Sequence, residues 1–216
     1  MIFRKDKVMN LDDLFAEIFL LEEKGKNLLL LDLDDTLVKA KNIFIYRKLP
    51  TDKNEVKLTP EQYANEKISS ETKQCYDYRD FRNPDAVAKS IITGLPIIPN
   101  LKIMDDYIKN GWKIGILTAR GMEEVIFKTL KAWLMFKDSK GNLQKIGDKL
   151  VRNLVNAIND DKKHYKGLTD FEKKANIVKK LANQYDRIMF LDDDLKNIDA
   201  IKNLDIKNIY VKLARK

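Results

Sequence analysis

Four consecutive leucines at positions 28–31 lead directly into Asp32, Asp34 and Asp35. An apolar run of this length is typical of a strand that is buried on both faces of a parallel sheet. Because a sheet interior does not tolerate unpaired carboxylates, the aspartates are expected where the strand ends. Ligands of open α/β sheets bind at this edge. Clustered carboxylates repel one another unless a cation is present, so the run predicts a Mg²⁺ site that contains a carboxylate nucleophile.

Two further apolar segments end in residues that carry chemistry. Residues 113–118 lead into Ala119 and Arg120, and residues 187–192 lead into Asp193 and Asp194. A single aspartate after a strand is most often a helix cap or a turn residue. Because a doubly wound sheet brings such strand ends to one edge, the three segments together predict a single polar constellation.

The rest of the chain alternates between helical and strand patterns, which predicts a three-layer, Rossmann-like α/β fold with a parallel sheet. A hairpin is predicted at 43–47 and 55–58, and a last strand at 209–211. Residues 149–155 fit either a strand or a helix, whereas 69–96 are polar, aromatic and irregular. Helices are predicted at 11–24 with Asn10 as N-cap, at a short segment opened by Thr59 and Pro60, and at 100–110, 121–136, 171–185 and 195–203.

A length of 216 residues suits one domain with a modest insertion. The predicted core covers about 11–37 and 99–216, and a small flap or cap covers about 38–98. No large second cap is expected between Thr118 and Lys174. Neither a signal peptide nor a membrane span is apparent. Cys75 is the only cysteine, which excludes an intramolecular disulfide and a cysteine-based zinc site, and a cytoplasmic protein is expected.

The formal net charge is +8. Such a charge favours an anionic partner, either a phosphorylated small molecule or nucleic acid. The lysines are nevertheless spread along the chain and do not form one block. This distribution is also typical of a surface whose charges only keep the protein in solution. The charge is therefore compatible with an anionic ligand and does not identify one.

The three strand ends resemble motifs of the haloacid dehalogenase-like (HAD) hydrolase superfamily. Residues 32–36, Asp-Leu-Asp-Asp-Thr, resemble its first motif, Asp-x-Asp-x-Thr after an apolar strand. Residues 114–118 resemble the second motif, and residues 190–193, Phe-Leu-Asp-Asp, resemble the fourth. The third motif is a lysine in the preceding helix; Lys173 and Lys174 are the candidates, and Lys174 is favoured because Ala-Asn-Ile-Val follows it. The resemblance spans the core and leaves out 38–98, where this superfamily carries its variable cap.

The resemblance implies phosphate-ester hydrolysis with Mg²⁺. Asp32 would attack phosphorus and form an aspartyl-phosphate, and Asp34 would act as general acid and then general base. Members that transport ions or cleave carbon–halogen bonds lack an acid at the position of Asp34. The metal would be held by Asp32, by Asp34 through its backbone carbonyl, and by Asp192.

Further residues would support this chemistry. Thr118 and Lys174 would hold the phosphoryl oxygens. Arg120 would either contact the substrate phosphate or stabilise its own loop. Asp193 and Asn197 would lie outside the metal ligands and orient water or a neighbouring side chain.

Other polar and aromatic residues have simpler interpretations. Asp35 is expected in a turn, and Asp194 at a helix N-terminus. His164, the only histidine, is not expected to be catalytic, and Cys75 is expected to pack. The aromatic and basic run 76–82 either packs the flap onto the core or stacks on a nucleotide.

Three functions therefore remain. The favoured one is a Mg²⁺-dependent phosphomonoesterase that acts on a small phosphorylated metabolite or nucleotide. The second is a phosphatase of nucleic-acid 3′ or 5′ ends, similar to the phosphatase half of polynucleotide kinase-phosphatases; no Gly-x-x-x-x-Gly-Lys-Ser/Thr motif for a kinase half is present. The third is a binding or structural protein that keeps the fold without catalysis. No oligomeric state is predicted.

Overall fold

The computed structural model describes residues 26–69, 71–138, 140–160, 165 and 167–215. The predicted helix at 11–24, its N-cap Asn10 and His164 lie outside the described residues. The described strands are β1 (Asn27–Leu31), β2 (Val38–Lys39), β3 (Ile45–Arg47), β4 (Val56–Leu58), β5 (Tyr76–Asp77), β6 (Leu95–Pro96), β7 (Lys113–Thr118), β8 (Met135–Lys137), β9 (Leu143–Lys145), β10 (Leu150–Ala157), β11 (Arg187–Asp192) and β12 (Ile209–Leu213). The described helices are α1 (Pro60–Ala64), α2 (Pro84–Ile92), α3 (Ile98–Lys109), α4 (Glu123–Trp133), α5 (Asp170–Ala182) and α6 (Leu195–Lys202).

A five-stranded parallel sheet forms the centre, in the order β10-β7-β1-β11-β12. β1 is the middle strand, and its leucines are fully buried. Successive side chains of a strand point to opposite faces, so Leu29 and Leu31 join one core while Leu28 and Leu30 join the other. This accounts for the continuous apolar run and confirms the predicted α/β class with a parallel sheet.

Helices flank both faces of this sheet. One core cluster joins the sheet to α2, α3 and α4 through residues such as Ile91, Leu101 and Ile126. The other joins it to α5 and α6 through residues such as Val178 and Ile198. Neither face of the sheet is left open, which explains why its strands lack the polar–apolar alternation of a half-exposed sheet.

Two local predictions need correction, and one that the sequence left open is resolved. Residues 69–96 were expected to be irregular, but α2 lies within them; Asn83 caps it by accepting from two backbone N–H groups, and Pro84 occupies its first turn. Most of residues 149–155, which the pattern leaves open between strand and helix, lie in the edge strand β10, Leu150–Ala157. The helix expected at 121–136 ends at Trp133, and its last residues instead enter the β8–β9 hairpin.

The segment 38–98 is tied to the core at both ends. Its first and last strands, β2 and β6, pair antiparallel. Between them, β4-β3-β5 form an antiparallel sheet, as the predicted hairpin requires, over a small core of Ile45, Leu58 and Tyr76. Tyr63 meets Tyr76 and Tyr78 edge to face, at ring-centroid distances of 5.4 and 5.6 Å. These contacts favour the packing interpretation of the aromatic run over base stacking for both tyrosines.

None of the described helices combines the length and apolar character needed to cross a membrane.

Candidate functional site

Three neighbouring strands deliver the predicted site residues to one edge of the sheet. The β1–β11 register sets Leu31 opposite Leu191, so Asp32 and Asp192 follow side by side. The backbone N–H of Asp32 continues this pairing by donating to the carbonyl of Leu191 at 2.9 Å. β7 pairs with β1 on its other side and ends at Thr118. The carboxyl edge of the sheet therefore gathers the three motifs, as the sequence analysis expected.

The ammonium group of Lys174 lies between two carboxylates. Its Nζ donates to Oδ1 of Asp32 at 2.7 Å and to Oδ2 of Asp192 at 2.8 Å. Lys174 is only 2 % exposed, and both aspartates are buried. A buried cation in this position offsets charges that the interior would not otherwise tolerate. The second oxygen of Asp32, Oδ2, accepts no hydrogen bond from the part of the chain that the structure describes, which leaves it available to a ligand.

Local sequence explains how Lys174 reaches this position. The side chain of Thr169 accepts from the backbone N–H of Glu172 in a capping box, which begins α5. A helix that leads into a parallel strand begins at the carboxyl edge of the sheet, so the first turns of α5 lie near the aspartates. Ala175 and Val178 are buried against the sheet, and Lys174 lies on this buried side of the helix.

The neighbouring lysine is directed elsewhere. The Nζ of Lys173 donates to Oδ1 of Asn159 at 2.6 Å and to Oδ1 of Asp170 at 3.0 Å. The structure thus brings Lys174, and not Lys173, to Asp32, in agreement with the choice favoured from the sequence.

Asp192 is held from both sides. The backbone N–H of Asp194 donates to its Oδ1 at 2.9 Å, and the amide of Asn197 donates to Oδ1 at 3.1 Å and to Oδ2 at 3.0 Å. Asn197 therefore orients a candidate metal ligand, which is the supporting position that the sequence analysis assigned to it. Asp194 is the N-cap of α6 and accepts from the backbone N–H of Lys196 at 2.9 Å, as expected of a helix N-terminal acid.

A group of three acids could hold a metal ion. One carboxylate oxygen from each of Asp32, Asp192 and Asp193 lies within 4.8 Å of the other two. Carboxylate oxygens suit Mg²⁺, Ca²⁺ or Mn²⁺ better than softer metals. Asp193 was expected to lie outside the metal ligands, but its distance to the other two acids allows direct coordination.

Arg120 forms an ion pair with the predicted acid/base. Its Nε and Nη2 each donate to one oxygen of Asp34 at 2.7 Å. Its Nη1 donates to Oγ of Ser90, which lies in α2, at 2.8 Å. The arginine side chain is 3 % exposed, whereas that of Asp34 is 40 % exposed. A planar guanidinium held at three points fixes the carboxylate that it faces.

The loop that carries Arg120 is anchored to the end of β10. The amide of Asn159 donates to the carbonyl of Ala119 at 2.6 Å, and its backbone N–H donates to the carbonyl of Arg120 at 3.2 Å. Within the loop, the backbone N–H of Arg120 donates to the hydroxyl of Thr118 at 3.2 Å. Thr118 is fully buried. The loop is thereby held in one conformation beside the aspartates.

Burial and neighbouring charges shift proton affinities in the cluster. Burial raises the pKa of Asp32 above its ordinary value; Lys174 opposes this shift, while Asp192 and Asp34 reinforce it. Burial lowers the pKa of Lys174, but the charges of Asp32 and Asp192 more than offset this and hold that pKa above its ordinary value. Lys174 is therefore charged, and it is the cation of the cluster in this structure.

Sequence reasoning missed one residue of this network. Ser90 was not singled out, because its partner Arg120 is distant in sequence. Asn83 and Pro84 are a helix-start signal from which α2 could have been predicted, but no local pattern marks Ser90 as a contact of the site. The acidic pair was recognised, with Asp193 expected in a supporting position; direct coordination by Asp193 is a second possibility that the sequence did not suggest. Only the folded geometry brings it within reach of Asp32.

Comparisons with protein-family models, with curated proteins and with solved structures find no match.

Proposed function

We propose that the protein is a Mg²⁺-dependent phosphomonoesterase of the HAD type that forms an aspartyl-phosphate on Asp32. The observation that carries the proposal is the arrangement of Asp32, which has one oxygen bound to Lys174 and the other uncommitted among the described residues. A nucleophilic carboxylate needs this combination of a neighbouring cation and a free oxygen.

The charge balance argues against a purely structural cluster. Asp32 and Asp192 share the ammonium of Lys174, so these three groups carry an excess of one negative charge when both carboxylates are ionised. Buried ionic groups of this kind contribute little to stability compared with well-packed apolar residues. A bound divalent cation would complete the charge balance.

The three acids suit Mg²⁺ because all their donor atoms are oxygens. When bound by Asp32, Asp192 and Asp193, the ion would offset the repulsion between the carboxylate nucleophile and an anionic phosphate. Asn197 would keep Asp192 in position for this role through its two amide contacts.

The first chemical step uses Asp32 and Asp34. Oδ2 of Asp32 attacks phosphorus, a carboxylate–phosphorus bond forms, and the bond from phosphorus to the leaving oxygen breaks. Asp34 gives its proton to that oxygen. In the second step Asp34 takes a proton from water, which attacks phosphorus, releases inorganic phosphate and restores the Asp32 carboxylate.

Lys174 and Thr118 would stabilise the phosphoryl group during both displacements. Lys174 already contacts the nucleophile, so its ammonium lies next to the oxygens on which charge is redistributed. Thr118 would contribute its hydroxyl or its backbone N–H from the end of β7. Arg120 would keep Asp34 oriented.

A second candidate activity is hydrolysis of phosphate from nucleic-acid ends. The net charge of +8 favours it, because a basic protein attracts a polyanion. In this case turnover of a phosphorylated oligonucleotide would fall steeply with added salt, whereas turnover of a mononucleotide would change much less.

The test is turnover of p-nitrophenyl phosphate, of a mononucleotide and of 3′- and 5′-phosphorylated oligonucleotides, each with and without Mg²⁺. The variant Asp32→Asn is expected to lose about 10³-fold or more in kcat. Asp35→Asn is the matched control, because it removes a charge from the same motif. Asp35 has a φ of 53°, a conformation that asparagine also adopts, so the backbone should be unaffected. This variant should retain activity within about threefold. Absence of Mg²⁺-dependent turnover of every substrate would instead favour a non-catalytic protein.

A further inference from the structure

A cavity of about 250 Å³ lies between the segment 38–98 and the loops that follow two strands of the parallel sheet. Phe81 and Arg82 line it from one side, and Gly121, Met122 and Asn159 line it from the other. Pockets for drug-sized ligands begin at roughly 300 Å³, so this space suits one planar ring system the size of a nucleobase, with any attached groups outside it, rather than a large metabolite.

The cavity adjoins the candidate active site. Gly121 directly follows Arg120, whose guanidinium contacts Asp34. Asn159, another lining residue, donates to the carbonyl of Ala119 and accepts from Lys173, the neighbour of Lys174. The same two loops therefore form both the edge of the phosphoryl site and one wall of the cavity.

The acidic residues of the cavity are already engaged. Glu124 accepts from Nε of Arg152 at 2.7 Å and lies 3.3 Å from Nζ of Lys128. Asp160 accepts from the backbone N–H of Glu123 at 2.8 Å. By contrast, Arg82 is exposed, and its guanidinium makes no hydrogen bond or ion pair with any residue in the described ranges. Among the residues that the structure describes, Arg82 is thus the cation of the cavity lining that is left for a ligand.

The remaining wall is apolar. Phe81, Met122 and Val125 are partly buried and pack against the main core, and each also borders the cavity. Met122 has a φ of 61°, a left-handed conformation that is unfavourable for a methionine. This conformation occurs where the loop turns from the active site into α4.

We propose that this cavity binds the leaving group of the substrate, and that the leaving group is a nucleoside carrying a second phosphate. The proposal rests on the phosphatase function proposed above. The base would pack against Phe81 and Met122, since a flat ring gains from aromatic and apolar contact without strict sequence preference. The second phosphate would pair with the Arg82 guanidinium, whose planar fork suits phosphate oxygens.

The first test compares adenosine 3′,5′-bisphosphate with p-nitrophenyl phosphate, which has no second anion. Arg82→Gln is expected to raise KM for the bisphosphate on the order of tenfold, because one charge-assisted contact is lost. KM for the aryl ester should stay within about twofold of the wild-type value. Lys73→Gln, which removes an exposed charge from the same segment outside the cavity lining, should change neither value. Equal effects of Arg82→Gln on both esters, or no effect on either, would overturn the proposal.

A second variant tests the apolar wall. Met122→Gly removes the side chain from the cavity wall and from the edge of the main core, and the relief of the left-handed backbone offsets part of the packing that is lost. It should raise KM about fivefold or more for adenosine mono- and bisphosphates alike, and not for the aryl ester, because ring packing is lost in both nucleotides. An unchanged KM for the nucleotides would contradict the assigned wall.

A binding experiment separates failure of the cavity from failure of the enzyme proposal. Titration of Asp32→Asn with adenosine 3′,5′-bisphosphate requires no turnover. Binding that weakens about tenfold on adding Arg82→Gln would support the cavity even if no ester is hydrolysed. Undetectable binding, or binding indifferent to Arg82, would reject the cavity even if p-nitrophenyl phosphate is a good substrate.

Discussion

Arg120 holds both carboxylate oxygens of Asp34 in a fork of two hydrogen bonds, each 2.7 Å long. The third contact of this guanidinium is to Ser90, so α2 is connected to the predicted acid/base through a single side chain. Each carboxylate oxygen can accept two hydrogen bonds, so Asp34 can reach the leaving oxygen while it keeps the arginine. The fork limits the rotation of the carboxylate during catalysis.

Replacing this arginine should affect substrates unequally. Arg120→Met leaves Asp34 without its orienting partner, and we expect kcat to fall about 10²-fold for alkyl phosphates, whose leaving groups need protonation. For p-nitrophenyl phosphate, whose leaving group is stable as an anion, the loss should be less than about tenfold. The measurement is kcat for a series of esters that differ in leaving-group pKa.

The neighbouring variant Ser90→Ala serves as the control for this series. It removes the third contact of Arg120 but keeps the fork to Asp34, so the dependence on the leaving group should stay close to that of the wild type. An equal loss for all esters in Arg120→Met would show that the arginine contributes only to folding.

Removal of the buried ammonium should destabilise the protein and increase its response to metal. Lys174→Met leaves Asp32 and Asp192 close together without a cation, and we expect a loss of about 3 kcal/mol in the free energy of unfolding. Mg²⁺ should stabilise this variant more than the wild type, because the ion replaces the missing charge and binds only the folded state. Urea unfolding with and without Mg²⁺ measures both effects.

The adjacent lysine provides a matched comparison. Lys173→Met removes contacts to Asn159 and Asp170 at the rim of the site and should cost less than about 1 kcal/mol. A larger loss for Lys173→Met than for Lys174→Met would reverse the assignment of the site lysine.

Asp193 should behave as a metal ligand. Asp193→Asn removes one charge from the three-acid group, and we expect the Mg²⁺ dissociation constant to rise roughly tenfold or more. Asp194→Asn is the control, since asparagine caps a helix as well as aspartate does. Calorimetric titration of both variants with Mg²⁺ decides the matter: unchanged affinity in Asp193→Asn would exclude this carboxylate from the coordination sphere.

The antiparallel sheet of the segment 38–98 should lose stability in acid. Glu66 accepts from Arg47 and Tyr76, and these hydrogen bonds hold its pKa below the ordinary 4.5. A bond from the backbone of Leu49 together with Arg47 likewise holds the pKa of Asp52 below 3.8. The stabilisation is complete above the ordinary pKa values and is lost as the pH falls through the lowered ones.

The variant Arg47→Met isolates this effect. The difference in melting temperature between wild type and variant should be largest above about pH 5 and should shrink as the pH approaches 3. Comparing the two proteins cancels the contribution of every other carboxylate. A difference that does not change with pH would mean that Arg47 acts by packing alone.

The core of the fold was largely predictable because its signals are local. Residues 28–31, 113–118 and 187–192 are apolar over the length of a strand, and each ends in polar residues. A parallel sheet brings such ends to one edge, so the meeting of Asp32, Thr118 and Asp192 could be inferred without coordinates. Lys174 could be preferred to Lys173 because the apolar residues after it mark the buried side of a helix.

The sequence left open or misread the elements in which local signals conflict or tertiary contacts decide. Residues 149–155 mix apolar and polar residues without a clear period, so strand and helix were both possible; from Leu150 onward they form a strand because the edge of β7 offers backbone partners. The helix expected at 121–136 ends early because Met135–Lys137 pairs with Leu143–Lys145.

The sequence by itself determined the parallel sheet and the edge at which the acids gather, because burial dictates which residues leave the interior. It did not determine how the charges at that edge are paired. The contacts of Lys174 with Asp32 and Asp192, and of Arg120 with Asp34 and Ser90, join residues that lie between 18 and 142 positions apart. The same acids could be paired in several ways, and only the packing of α2 and α5 against the sheet selects one of them.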